Sequence, residues 1–112
     1  MNIESITKNY TLKTTAIFRK HYKKCIKQGK DKTKLYEVVK QLATGQPLEP
    51  KYKDHALINN KYYNNCRECH IEPDWLLIYK IEQEQLILLL FEIGSHSEVF
   101  SDDCQIVCVD TK

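Results

Sequence analysis

The sequence predicts an α+β fold, in which an N-terminal strand and a helical hairpin pack on a small, mainly antiparallel sheet. Two adjoining segments within residues 15–44 carry apolar residues at helical spacing. After residue 65 the pattern changes to short runs of Leu, Ile, Tyr and Phe, which suit strands. Between the two halves lies a stretch with two prolines and four asparagines, QPLEPKYKDHALINNKYYNN, which reads as loop. Neither helical stripe can stay in water, and the later sheet is the surface on which both can pack.

Taken in order, residues 1–8 are polar and read as an extension, and Tyr10–Thr14 has the composition of a short strand. From Thr15 to about Gln28, Phe18, Tyr22, Cys25 and Ile26 form one helix face, while Arg19, Lys20, Lys23, Lys24 and Lys27 fill the rest. Gly29 suits the stop because it tolerates left-handed backbone. Leu35, Val38, Val39 and Leu42 define a second helix, capped by Asp31 or Thr33 and ended by Gly45 with Pro47. Cys66–His70 reads as a strand and Glu72-Pro73-Asp74 as the turn out of it. Trp75–Ile81 and Gln85–Phe91 are the strongest strands, joined through Glu82-Gln83-Glu84-Gln85. The run LILLLF is apolar at successive positions, which predicts a strand that is buried on both faces or lies centrally. Gly94 breaks it, Ser95–Phe100 reads as a loop or turn, and CQIVCVD in the tail has the make-up of one more strand.

A chain of 112 residues suits one domain around one core, taken here as residues 1–112 with 101–112 a second extension. No apolar run reaches the ~18–20 residues needed to span a bilayer, and the start lacks the pattern of a secretory signal. A soluble, cytoplasmic protein without a membrane partner is expected. Five cysteines cannot complete a disulfide framework, so free thiols are the default, with Cys25 a small buried hydrophobe. The net charge of +2 hides an asymmetry: residues 1–65 carry +9 and residues 66–112 carry −7. The basic half reads either as a polyanion-binding face or as solvated helix surface.

Imidazole is the side chain that titrates near neutrality without help, so the four histidines are the first candidates for chemistry. His21 lies on the first helix among lysines and reads as a surface or boundary residue. His55, His70 and His96 fall at loops or strand ends, and Asp74 and Trp75 follow His70 across a turn. If these groups converge, imidazoles can take the proton from a ribose 2′-OH and return one to the departing 5′-oxygen. Asp74 can orient one ring, and Lys or Arg can face the phosphate. Trp75 and Phe100 can stack on unpaired bases, although core packing competes as a reading of Trp75. Two cysteine patterns point elsewhere. Cys66-x-x-Cys69-His70 matches covalent haem attachment, but in a strand the two thiols point to opposite faces. Zinc held by Cys66, Cys69, Cys104 and Cys108 is the other metal reading, weakened by the x3 spacing of the second pair.

Residues 51–100 closely resemble the YafQ family within the RelE superfamily of bacterial toxin–antitoxin systems. The pieces are Lys53-Asp54-His55, Arg67 through Tyr79 (RECHIEPDWLLIY), and Gly94-Ser95-His96 with Phe100, and the helical hairpin extends the likeness to roughly residues 10–100. The resemblance implies a RelE-like fold and a ribosome-dependent endoribonuclease that cuts mRNA without metal or other cofactor. It also implies a neutralising antitoxin of the RelB/DinJ kind. On that basis His55, His70, Asp74 and His96 are catalytic, Trp75 supports the site and Phe100 contacts substrate. Lys53, Arg67, Arg19, Lys20, Lys23, Lys24 and Lys27 are expected to bind RNA of the mRNA or the ribosome. One position departs from the pattern: the family usually has arginine two residues before the glycine, and here Glu92 stands there. A carboxylate facing the scissile phosphate would oppose the chemistry. The alternative is therefore a toxin-like scaffold that binds antitoxin or RNA but cleaves weakly.

Overall fold

The computed structural model describes residues 10–58 and 60–100. Strand β1 (Thr11–Thr14) leads into helices α1 (Ala16–Lys27) and α2 (Lys32–Ala43), then a 3-10 turn (Pro50–Tyr52) and a two-residue strand β2 (His55–Ala56). Strands β3 (Arg67–Glu72), β4 (Trp75–Glu82) and β5 (Ile87–Gly94) follow, and the short helix α3 (His96–Val99) closes the described chain. The strands form one sheet in the order β1-β5-β4-β3-β2. Among the described residues only β1 and β5 run parallel, because the helical hairpin separates β1 from the three sequential antiparallel strands.

Each helix starts where the sequence offers a cap. Thr15 accepts from the Phe18 amide at 3.0 Å and donates to the Phe91 carbonyl at 2.7 Å, which ties the head of α1 to the sheet. Asp31, rather than Thr33, caps α2 by accepting from the Thr33 amide at 2.9 Å. Gly29 follows α1 with φ +89°, a conformation that L side chains rarely adopt. Phe18, Cys25, Leu35, Val38 and Leu42 are buried against Cys69, Ile71, Trp75, Leu77, Tyr79, Leu88, Leu90 and Ile93. Full burial of such large apolar side chains contributes about 1.5–3 kcal/mol each, which is what holds the hairpin to the sheet.

The opposite face carries a smaller core of Tyr63, Cys66, Ile78 and Val99, joined by Leu57, Phe91 and Phe100 from the flanking loop, β5 and the end of α3. Consequently β4, from Trp75 to Tyr79, is the strand buried on both faces. For LILLLF the central placement holds and burial on both faces does not: β5 lies between β1 and β4, and its burial alternates through Ile87–Phe91 because the second core is small. Ser95–Phe100, expected as a loop or turn, contains the single-turn helix α3. The tail strand read from CQIVCVD lies outside the described residues. Two register shifts matter for the site: β3 and β4 slip between His70 and Glu72, and β4 and β5 slip opposite Ile78 and Tyr79. Such bulges bend a strand and re-aim its side chains, and here they lie beside His70 and upstream of His96.

Among the described residues no helix is long and apolar enough to cross a membrane. Cys25, Cys66 and Cys69 are free and buried, and burial pushes all three thiols up from their ordinary range.

Candidate active site

Strand period brings the first pair together. Glu68 and His70 alternate with Arg67, Cys69 and Ile71 along β3, so they share the sheet face away from the helical hairpin. On β2, His55 pairs in register with Glu68. His55 Nε2 lies 3.1 Å from Glu68 Oε1, and His70 Nε2 lies 3.5 Å from the same oxygen. Glu68 is 4% exposed, a buried carboxylate between two imidazoles. The other nitrogen of His55, Nδ1, faces the Lys53 carbonyl at 2.8 Å. Both ring nitrogens of His55 therefore face oxygen atoms.

His96 arrives from the other direction. It is the first residue of α3, which Ser95 and Glu98 start with a reciprocal capping box. Asp74, in the turn before β4, accepts from the His96 amide and lies 2.9 Å from His96 Nδ1, both through Oδ1. These contacts hold the Asp74 carboxyl below the usual carboxylate range, the backbone hydrogen bond contributing most. They also direct a proton to Nδ1 and leave Nε2 for exchange. The His96 ring stands edge-on to His70 at 5.5 Å between centroids, and Phe100 lies 6.4 Å from His96. His55, Glu68, His70, His96 and Asp74 thus form one continuous line, with Phe100 beside His96.

Gly94 makes that approach possible. A Cβ there would sit 2.9 Å from Glu98 Oε1 and 3.2 Å from Glu98 Cβ, so a side chain would displace the Glu98 carboxylate from its capping position and crowd the start of α3. From α1, Lys24 reaches Glu98 at 2.9 Å, and His21 Nδ1 lies 2.7 Å from Glu92 Oε1. Glu92 is 6% exposed and also accepts from the Ile93 amide at 2.8 Å. Its carboxylate is thus turned toward α1, and His21 is a partner of β5 rather than a plain surface residue.

Several of the residues read as site members stand elsewhere. Trp75 is 0% exposed beneath α1, with its indole N–H directed at Cys25 Sγ at 3.3 Å and Lys30 over its ring. A base cannot stack on a ring already covered, so Trp75 packs the core next to Asp74. Arg67 points to the helix side of β3, where it grips Asp54 through two nitrogens, and Tyr79 donates to the same carboxylate. Its effect on the site is to anchor the residue before His55. Arg19 is committed to the Thr14 carbonyl and hydroxyl, and Lys24 to Glu98. Lys20, Lys23 and Lys27 remain exposed and enter no ion pair among the described residues. Lys53 is exposed beside His55, at φ 50°.

Glu68 is the site residue that the sequence reading missed. Its signal was present: in a strand, the residue two before His70 must share its face. Cys66 and Cys69 belong to opposite cores, so they cannot close on one ion or one haem, and Cys104 and Cys108 lie outside the described residues. Among the described residues no group of three or more His, Cys, Asp or Glu side chains is arranged to hold a metal ion.

Known proteins resemble this chain in sequence and in fold. Residues 10–101 match the family described as bacterial toxin of type II toxin-antitoxin system, YafQ. The mRNA interferase toxin YafQ of Escherichia coli strain B / BL21-DE3 is 39% identical over 85 residues, which is 74% of this chain and 87% of the relative. A metal-bound toxin from Helicobacter pylori superimposes with a TM-score of 0.76 at 47% identity, covering 81% of this chain and 99% of that one. YafQ in the Escherichia coli DinJ–YafQ complex gives 0.73 at 32% identity, over 82% and 99% of the two chains. The chain belongs to the YafQ toxins of type II toxin–antitoxin systems.

Proposed function

We propose that this protein is a ribosome-dependent endoribonuclease that cleaves mRNA by acid–base catalysis needing no metal. The observation that carries the proposal is the line of three imidazoles and two carboxylates from His55 to Asp74, with adjacent members in contact. The relatives named mRNA interferase toxin YafQ support the same reaction class. In the reaction a ribose 2′-oxygen attacks phosphorus, its proton passes to one imidazole, and the 5′-oxygen leaves with a proton from another. His96, oriented by Asp74, and His70, beside it, form the proton-transfer pair. His55 lies beside them, and Glu68 holds His55 and His70 in place. Phe100 borders the substrate, and Lys20, Lys23 and Lys27 face ribosomal RNA.

The partners of this reading are mRNA, the ribosome and an antitoxin of the RelB/DinJ kind, which places the protein in the cytoplasm. The neighbour solved with DinJ supports the last partner. Cleavage of ribosome-bound mRNA by purified protein tests the proposal. His96→Ala should lower the rate by about 10²–10⁴-fold, the usual contribution of a general acid or base. Equal cleavage by both proteins overturns it.

Glu92 favours a second reading, in which the scaffold binds antitoxin or RNA but cleaves weakly. Its carboxylate contributes negative charge to the end of β5 that leads into His96. On this reading expression does not arrest growth and Glu92→Arg restores arrest. Strong toxicity of the native protein excludes it.

A further inference from the structure

The catalytic line itself holds no lysine or arginine. Arg67 is turned to the far face of β3 and Lys24 is held by Glu98, so charge for a bound phosphate must come from its flanks. One flank is built for this. Among the described residues β3 has a strand partner on its outer side only at Arg67 and Glu68, because β2 is two residues long. Beyond Glu68 that edge opens into a cavity of about 570 Å³, whose lining includes Lys34, Lys51, Tyr52, Lys53, His70 and Glu72. The volume lies within the ~300–1,000 Å³ of small-molecule sites. His70 belongs both to this wall and to the catalytic line, so the two spaces adjoin.

The lining also holds Glu37, so its three lysines, Lys34, Lys51 and Lys53, outnumber two carboxylates. Glu72 is already met by Lys34 at 3.1 Å and Lys30 at 3.6 Å. Lys51 lies 3.8 Å from exposed Glu49 and 5.1 Å from the centre of the Tyr52 ring. Such an exposed pair holds a lysine weakly. Lys53 enters no ion pair among the described residues, while its carbonyl is fixed by His55 at 2.8 Å. The backbone that positions His55 therefore also positions an exposed ammonium at the cavity.

We propose that this cavity is the subsite for the nucleotide adjoining the scissile phosphodiester of single-stranded RNA, with Lys53 and Lys51 binding its phosphate. The inference rests on the nuclease reading above and deepens it. The test uses a fluorescein-labelled 2′-O-methyl oligoribonucleotide, which cannot be cleaved, titrated against the full chain at several salt concentrations. Lys51→Ala with Lys53→Ala should weaken binding by about tenfold and reduce the salt slope by about 0.7 for each phosphate no longer neutralised. Lys51→Arg with Lys53→Arg should restore affinity to within about twofold, since both side chains carry the charge. Lys13→Ala with Lys40→Ala, exposed lysines outside the cavity, should change it less than about threefold. An unchanged affinity in the first pair, or an equal loss in the Lys13 and Lys40 pair, overturns the assignment. The nuclease reading fails on a different result, cleavage that survives His96→Ala, which leaves this binding comparison intact.

Discussion

Asp74 Oδ1 receives both the amide and the imidazole of His96, so one exposed carboxylate fixes the position and the tautomer of one ring. Its carboxyl is held below its ordinary range, as is that of Glu98, where the Ser95 amide contributes most and Lys24 next. A depressed carboxylate stabilises the folded state above its unfolded pKa and loses that contribution as pH falls through the folded value. The α3 end should therefore loosen on the acid side of the usual carboxylate range, below a pH of about 4. The His96 amide resonance, followed by NMR, should report this, and Asp74→Asn should remove the Asp74 part of the transition. An acid titration identical in both proteins would mean that Asp74 does not hold His96. For single residues the sequence was legible in identity and less so in direction. His55, His70, Asp74 and His96 could be picked out by chemistry, whereas Trp75 and Arg67 could not be placed without knowing which side of the sheet each faces. Glu68 needed only the strand period. The His21–Glu92 contact joins residues distant in the chain, and no local pattern announces it.

Among the helices and strands, the site depends on how α3 meets β5. Gly94 lets the helix approach to contact distance, and the capping box and Lys24 hold it there. Gly94→Ala should displace Glu98 and carry His96 away from Asp74. Overpacking of this kind costs about 1–3 kcal/mol, so the thermal midpoint should fall by several degrees and cleavage should fall further than stability alone explains. A variant with unchanged midpoint and rate would show that α3 has room to spare. The two long helices were legible because their stripes are strong and their ends carry Asp31 and Gly29. The four-residue α3 was not, although Ser95 and Glu98 stand at capping-box spacing, because it is too short to show a helical stripe. Continuous apolarity in LILLLF could not say which of two neighbouring strands is covered on both sides. That depends on β1 and on the second core, both remote in sequence.

In the assembled fold, one sheet keeps two tasks apart. The helical hairpin buries its stripes on one face, and on the other β2, β3 and α3 bring the imidazoles into line above a smaller core. The charge asymmetry of the sequence follows the same division in part, since Lys20, Lys23 and Lys27 are exposed on α1 while Lys24 and Arg19 brace the fold. The proposed nuclease requires His70 and His96 to act together on one phosphodiester. That requirement is tested by the single-turnover cleavage rate of ribosome-bound mRNA for His70→Ala, His96→Ala and the double variant. Groups that work as a unit are non-additive, so each single change should cost about 10²-fold or more and the double little beyond the worse single. If either single variant cleaves within about threefold of the native protein, or if the losses multiply in the double, the two rings do not share one reaction.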